Sequence, residues 1–171
     1  KNVAENITFK RSIGNGIKDM RMKDREAVLR CLAFVVLNYE LDYDGSMDKF
    51  LEKAMIKINK MSQTEVDALE RKALEVYAVT ERVFRNTNFR IPTDYTKGRI
   101  NIAVMETIFN CFYQSDIDFQ YIDSSKLKRG FTSLLKNEIY MEAVRWSTGS
   151  VSQVKTRFRE SHKVIDELLK I

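Results

Sequence analysis

The chain has 171 residues, with 29 Lys and Arg against 24 Asp and Glu, and a formal net charge of +5. Glycine occurs 6 times and proline once, at Pro92, and this composition favours helix. The longest apolar run, 31–37, is too short to cross a bilayer, so we expect a cytoplasmic protein without a membrane partner. Acidic and basic residues are interspersed, so the charge permits an anionic partner without requiring one.

A helix is predicted from Asp24, a suitable N-cap, to about Tyr39. Apolar residues occupy nearly all of its sides, which is typical of a helix at the centre of a core. Before it, only the segment 3–13 shows weak helical periodicity. Cys31 and Cys111 lie in apolar stretches, so we expect both to be buried, reduced thiols.

The next two helices are marked by their first residues. A turn at 41–46 leads into a helix predicted over 47–60, with Phe50 and Leu51 on its inner side. The sequence Ser-Gln-Thr-Glu at 62–65 is a capping box, which predicts the start of a long amphipathic helix that reaches about residue 84.

Residues 86–100 contain the single proline and form a predicted boundary. Beyond it, helical spacing recurs over 102–113, 124–136 and 138–146. A second capping box, Ser-Val-Ser-Gln at 150–153, predicts the start of the last helix.

These elements predict an all-α fold, an irregular or orthogonal bundle of about six to seven helices in one domain, 1–171. Two packed lobes, 1–85 and 101–171 joined by 86–100, are the alternative. No sustained period-two alternation occurs, so little or no sheet is expected. We also expect the chain to be part of a longer protein.

Common catalytic and cofactor motifs are missing from the sequence. The stretch that begins at Asp42 opens like a calcium loop, but Met47 stands where glycine is needed and Lys53 where glutamate is needed. His162 is the single histidine, and we expect it to pack at the edge of the core. No catalytic residue, metal site or cofactor is predicted for this chain.

Two basic clusters are candidate binding sites. On the last helix, Lys155, Arg159 and Lys163 fall on one side and, with Arg157, could follow nucleic-acid phosphates; a solvated helix face is the alternative.

The second cluster surrounds the start of the 24–39 helix. Glu26 precedes Arg30 by four residues, the favourable order for an ion pair, and Arg30 needs a partner on a largely buried helix. One predicted role for this cluster is structural, to stabilise the start of the helix. The alternative role is to dock another domain. Its members are Arg21, Asp24, Arg25, Glu26 and Arg30.

The stretch RMKDREAVLRCLAF at 21–34 resembles the R-M-x-D-x-E-x-V-L-R-F-L-A-F signature of a bacterial family that includes GmrSD-type modification-dependent restriction proteins. RINIAVMETIF at 99–109 and STGSVSQVKTRFRESHKVI at 147–165 resemble two later parts of that family. Cys31 replaces the usual phenylalanine. The matching positions in the first stretch are Arg21, Met22, Asp24, Glu26, Val28, Leu29, Arg30, Leu32, Ala33 and Phe34.

The resemblance implies a helical region that follows a ParB-like nucleotidase domain in a phage-defence protein. The family's Asp-Gly-x-x-Arg segment and the His-Asn-His nuclease motif of some members are absent from this chain. The implied role is therefore a non-catalytic scaffold, docking or dimerisation surface. The implied partners are the upstream ParB-like domain, DNA and a second copy of the chain, with Arg21 and Arg25 facing the upstream domain.

Overall fold

The computed structural model describes residues 2–14, 16–17, 22–93, 98–115, 118, 121 and 123–169. Over these residues the chain is helical, and the one strand-like pairing is an isolated antiparallel bridge between Arg90 and Ile100. The all-α prediction is confirmed. The elements are α1 (Asn2–Glu5), α2 (Ile7–Ile13), α3 (Lys23–Val36), α4 (Tyr39–Asp42), α5 (Met47–Asn59), α6 (Gln63–Phe84), a 3-10 turn (Arg85–Thr87), α7 (Ile102–Gln114), α8 (Ser124–Leu134), α9 (Glu138–Arg145) and α10 (Val151–Leu169).

The described residues form more helices than the six to seven predicted, because three short elements were not separated in the sequence. The weakly periodic 3–13 segment forms α1 and α2. Leu37 and Asn38 leave helical geometry, so α3 stops at Val36 and Tyr39 begins α4, where the Asn38 side chain accepts from the Glu40 amide. None of the helices in the described part of the chain is long and apolar enough to cross a membrane.

The predicted N-cap of α3 is wrong. Met22 takes that position in the left-handed region, with φ of 58°, and makes no side-chain cap. Asp24 instead lies inside the first turn, where its Oδ1 accepts from the Arg25 amide at 2.8 Å. An acid in the first turn is still favourable, because the helix dipole is positive there.

Both predicted capping boxes lie at helix starts in the structure. At α6, Ser62 and Glu65 form the complete capping box, with the Ser62 hydroxyl accepting from the Glu65 amide and the Glu65 carboxylate accepting from the Ser62 amide. At α10, Ser150 Oγ accepts from the Gln153 amide at 3.3 Å. Local sequence chemistry therefore locates both helix starts.

One hydrophobic core joins the two sides of segment 86–100. It packs residues of α2, α3 and α6, such as Phe9, Cys31 and Tyr77, against residues of α7 and α8, such as Phe109 and Phe131. The segment therefore does not separate two independent cores. Helix α3 is central, because it packs on both α5 and α7.

A second, aromatic cluster joins α3, α5 and α10. The ring of Phe34 lies 5.0 Å from that of Phe50 and 4.6 Å from that of Phe158, and Tyr39 stacks on Phe158 at 4.5 Å. Burying each such ring stabilises the fold by about 2–3 kcal/mol. Helix α10 also packs on α7, α8 and α9, which places its inner side at the centre of the molecule.

Candidate functional site

Three helices meet at a buried group of charges. Glu106 on α7 is fully buried, and its Oε2 accepts from Arg157 Nη2 of α10 at 2.7 Å. Its Oε1 accepts from Arg30 Nε of α3 at 2.6 Å. Burial alone lowers the pKa of Arg30, but the charge and the hydrogen bond of Glu106 raise that pKa above its ordinary value. The predicted need of Arg30 for a partner is met by Glu106, with Glu26 more distant at 3.8 Å.

The structure corrects the placement of Arg157. It was predicted to contact nucleic-acid phosphates together with Lys155, Arg159 and Lys163, but its side chain is fully buried. Its Nη1 donates to the Thr148 carbonyl at 2.5 Å, and its guanidinium lies 5.8 Å from the rings of Phe34 and Phe158. The physical reason is its register: Arg157 is three residues after buried Val154, so it falls within the inward stripe of α10. It is therefore not available to a nucleic acid in this fold.

The remaining basic residues of α10 are exposed but partly neutralised. Arg159 and Lys163 both contact Glu160 Oε1, at 3.1 Å and 2.9 Å. Together with Lys155 they line a shallow groove of about 480 Å³ that also contains Tyr39 and the acidic residues Glu40, Asp166 and Glu167. The groove therefore has mixed charge.

The cluster at the start of α3 is divided between core and surface. Asp24 is buried, Glu26 is exposed, and Arg25 is half-exposed in a 3.0 Å ion pair with Glu5 of α1. Met22, beside Arg25, is also exposed. Arg21 lies outside the described residues.

A cavity of about 670 Å³ opens beside this cluster. Its apolar lining comes from Ile17, Ala27, Ile100 and Ile102, and its charged lining from Lys23, Glu26, Arg30 and Arg99. Arg30 therefore lines the cavity while Glu106 holds its guanidinium from inside. Three cations and one acid give the cavity a positive character.

An arginine pocket was missed by the sequence reasoning. Arg11, Arg82, Arg85 and Arg90 line a cavity of about 470 Å³, in which Glu81 is the acidic residue. Arg90 is 5% exposed and donates to the carbonyls of Ile13 and Gly98. Burial lowers the pKa of Arg90. These arginines come from three separate segments of the chain, so no local sequence pattern predicts the pocket.

His162 lies half-buried at the edge of the core, as predicted. Its Nε2 lies 3.0 Å from Asn110 Oδ1, and its Nδ1 lies 3.1 Å from Asp166 Oδ2. The two cysteines are buried and unpaired, as predicted, and burial raises the pKa of both thiols. Cys111 is adjacent to Asn110 on α7, so it lies close to His162.

No family model matches the chain, and neither the curated proteins nor the solved structures give a match. The GmrSD-type resemblance therefore stays a prediction that depends on the quoted stretches. The functional proposals below depend on the geometry of the described residues.

Proposed function

We propose that this chain is a non-catalytic helical module of a larger protein and that it docks another domain at the start of α3. The observation that supports this function is the positive cavity of about 670 Å³ beside exposed Met22 and half-exposed Arg25. Concave sites with an apolar lining and a few fixed charges are typical of binding sites.

The rigidity of Arg30 adds support. Its guanidinium is held by Glu106, so little side-chain freedom remains to be lost when a partner binds. Lys23, Arg30 and Arg99 outnumber Glu26 around the cavity, so the fitting partner surface presents an apolar side chain among carboxylates.

The quoted resemblance names a candidate for that partner, the ParB-like domain of a GmrSD-type defence protein. In this proposal any nucleotidase or DNA nuclease activity belongs to the parent protein, and this chain supplies a docking surface. A second copy of the chain is the alternative partner for the docking surface at the start of α3, which would then be a dimer interface.

The experiment measures binding between this chain and the separately produced upstream domain by calorimetry. Charge reversal in the double variant Lys23→Glu/Arg25→Glu should weaken the affinity by about tenfold or more, because like charges then face each other. Arg129→Glu, an exposed arginine on α8, is the matched control and should leave the affinity unchanged. Equal affinity of the double variant and the control would overturn the proposal.

The loss of the internal ion pair must be separated from the loss of docking. The charge-swapped variant Glu5→Arg/Arg25→Glu keeps an ion pair between α1 and α3 while it moves the positive charge. If docking depends on Arg25, the charge-swapped variant should still bind the upstream domain with reduced affinity. Light scattering of the chain alone tests for the dimer, which predicts twice the monomer mass.

Binding of nucleic-acid phosphates is the second candidate function, and the arginine pocket is the observation that favours it. Arg90 is a buried cation whose two partners among the described residues are neutral carbonyls, and a buried cation is stabilised by a nearby anion. The affinity of the chain for nucleic acid should then fall steeply as the salt concentration rises, and it should be weaker in the double variant Arg11→Ala/Arg85→Ala. Absence of binding at low salt would overturn this candidate.

A further inference from the structure

Packing of α7 against α10 brings together three side chains that are far apart in the sequence. Cys111 of α7 and His162 and Asp166 of α10 each offer an atom that can bind a metal, and these atoms lie within 4.8 Å of one another. His162 and Asp166 are four residues apart, so they lie on the same face of α10. This cluster is separate from the cavity beside α3 and from the arginine pocket.

The orientation of Asn110 determines which nitrogen of His162 carries a proton. Asn110 Nδ2 donates to the Phe34 carbonyl at 2.8 Å, so its Oδ1 is the atom that faces His162. Because this oxygen can only accept, Nε2 of His162 must donate.

The other nitrogen of His162 then faces an acceptor. In the neutral ring, Nδ1 has a lone pair, and both carboxylate oxygens of Asp166 lie 3.1 Å and 3.3 Å from it. Two acceptors at this distance need a cation between them, which is either a proton or a metal ion. A histidine that donates its second N–H to an oxygen is the usual arrangement of a metal ligand.

We propose that Cys111, His162 and Asp166 form a site for a divalent transition metal ion of the zinc class. Sulfur, imidazole nitrogen and carboxylate oxygen are the ligand set that Zn²⁺ takes in proteins. His162 Nδ1 and Asp166 Oδ2 already have the spacing of a tetrahedral site, in which each ligand lies about 2.0–2.3 Å from the metal, and a separation of 4.8 Å within the cluster must close by roughly 1 Å.

Binding replaces a proton. The Cys111 thiol donates to Ser161 Oγ at 3.7 Å, and a metal that coordinates the sulfur takes the place of this proton, which leaves to solvent. Asp166 is about half exposed, so the site is open to solvent on that side and keeps a fourth position for water. The proposal does not rest on the docking function.

Cobalt(II) titration of the purified chain under anaerobic, reducing conditions tests the site, because Co²⁺ reports its ligands in the absorption spectrum. One equivalent should produce a thiolate-to-cobalt charge-transfer band together with the visible bands of four-coordinate cobalt. Added Zn²⁺ should then bleach both. The charge-transfer band assigns sulfur as a ligand, which calorimetry alone could not do.

Matched variants locate the metal. Cys111→Ser should abolish the charge-transfer band, whereas Cys31→Ser, which changes the other buried cysteine, should retain it. His162→Gln and Asp166→Asn should weaken Co²⁺ affinity by more than about tenfold, since even groups that only support a ligand contribute this much. Circular dichroism of each variant checks that the helical fold is kept.

Two results would overturn the proposal. The wild-type chain could show no charge-transfer band at millimolar Co²⁺, which would mean that Cys111 does not bind the metal. The band could also survive in Cys111→Ser and vanish in Cys31→Ser, which would place cobalt elsewhere.

Discussion

Nη2 of Arg157 lies 2.7 Å from Oε2 of Glu106, and neither side chain reaches solvent. This pair connects α10 to α7, and the second oxygen of Glu106 extends the connection to Arg30 on α3. A buried carboxylate between two guanidinium groups fixes the relative register of three helices, because any slip would leave a charge unpaired in the core. The same network holds Arg30 at the cavity beside α3.

Removing the carboxylate should therefore destabilise the fold strongly. Glu106→Gln keeps the shape of the side chain but leaves Arg157 as an uncompensated buried cation. We expect the free energy of unfolding to fall by about 3–5 kcal/mol in urea denaturation. Glu26→Gln removes an exposed partner of Arg30 and should cost no more than about 1 kcal/mol. Similar losses in the two variants would contradict the role of Glu106.

Replacing the pair by apolar side chains should cost less than breaking it. Glu106→Leu/Arg157→Met removes both charges and leaves Arg30 with Glu26, so the double variant should be more stable than Glu106→Leu alone by about 1 kcal/mol or more. The measurement is a double-mutant cycle in urea. Additive losses would show that the two charges do not stabilise each other.

The capping box of α6 gives a local prediction. Ser62→Ala removes the hydroxyl that accepts from the Glu65 amide and should lower the free energy of unfolding by about 1 kcal/mol. Ser133→Ala, at an exposed position within α8, is the control and should change it by less than about 0.5 kcal/mol. Thermal unfolding of both variants and of the wild type measures the two losses in free energy of unfolding.

Stability should fall in acid partly through Glu160. Its hydrogen bond to Lys163, with further bonds from Arg159 and Asn137, lowers the pKa of Glu160 below the ordinary value of 4.5. Since the folded-state pKa is the lower one, this contribution is present above about pH 4.5 and is lost as the pH falls through the folded-state value. Glu160→Gln should therefore be less stable than wild type at neutral pH, and the difference should shrink in acid. A constant difference across this range would contradict the assignment.

Much of the fold follows from local sequence signals. The Ser62–Glu65 capping box and the apolar spacing of α6 depend on residues close in sequence, and the structure confirms both. The start of α3 was misplaced because Met22 has no capping side chain, so no local chemistry marks it. Short helices such as α4 were missed because one turn of helix leaves no periodic pattern.

The buried charges could be predicted only in part. Arg157 has a charged side chain inside an apolar stripe, and its partner is 51 residues away in the sequence. A signal did exist in Glu106, the single acid of the apolar helix 102–114, because a buried carboxylate requires a nearby cation. Which cation meets it depends on tertiary packing, as does the approach of Cys111 to His162.

Hydrogen–deuterium exchange, compared between this chain alone and this chain mixed with the proposed upstream domain, tests the docking surface most directly. Docking at the start of α3 predicts slower exchange in the mixture at the amides of 22–26 and 98–102, with 124–134 of α8 unchanged as an internal reference. Equal exchange at 22–26 and 98–102 in the two samples would contradict the docking function.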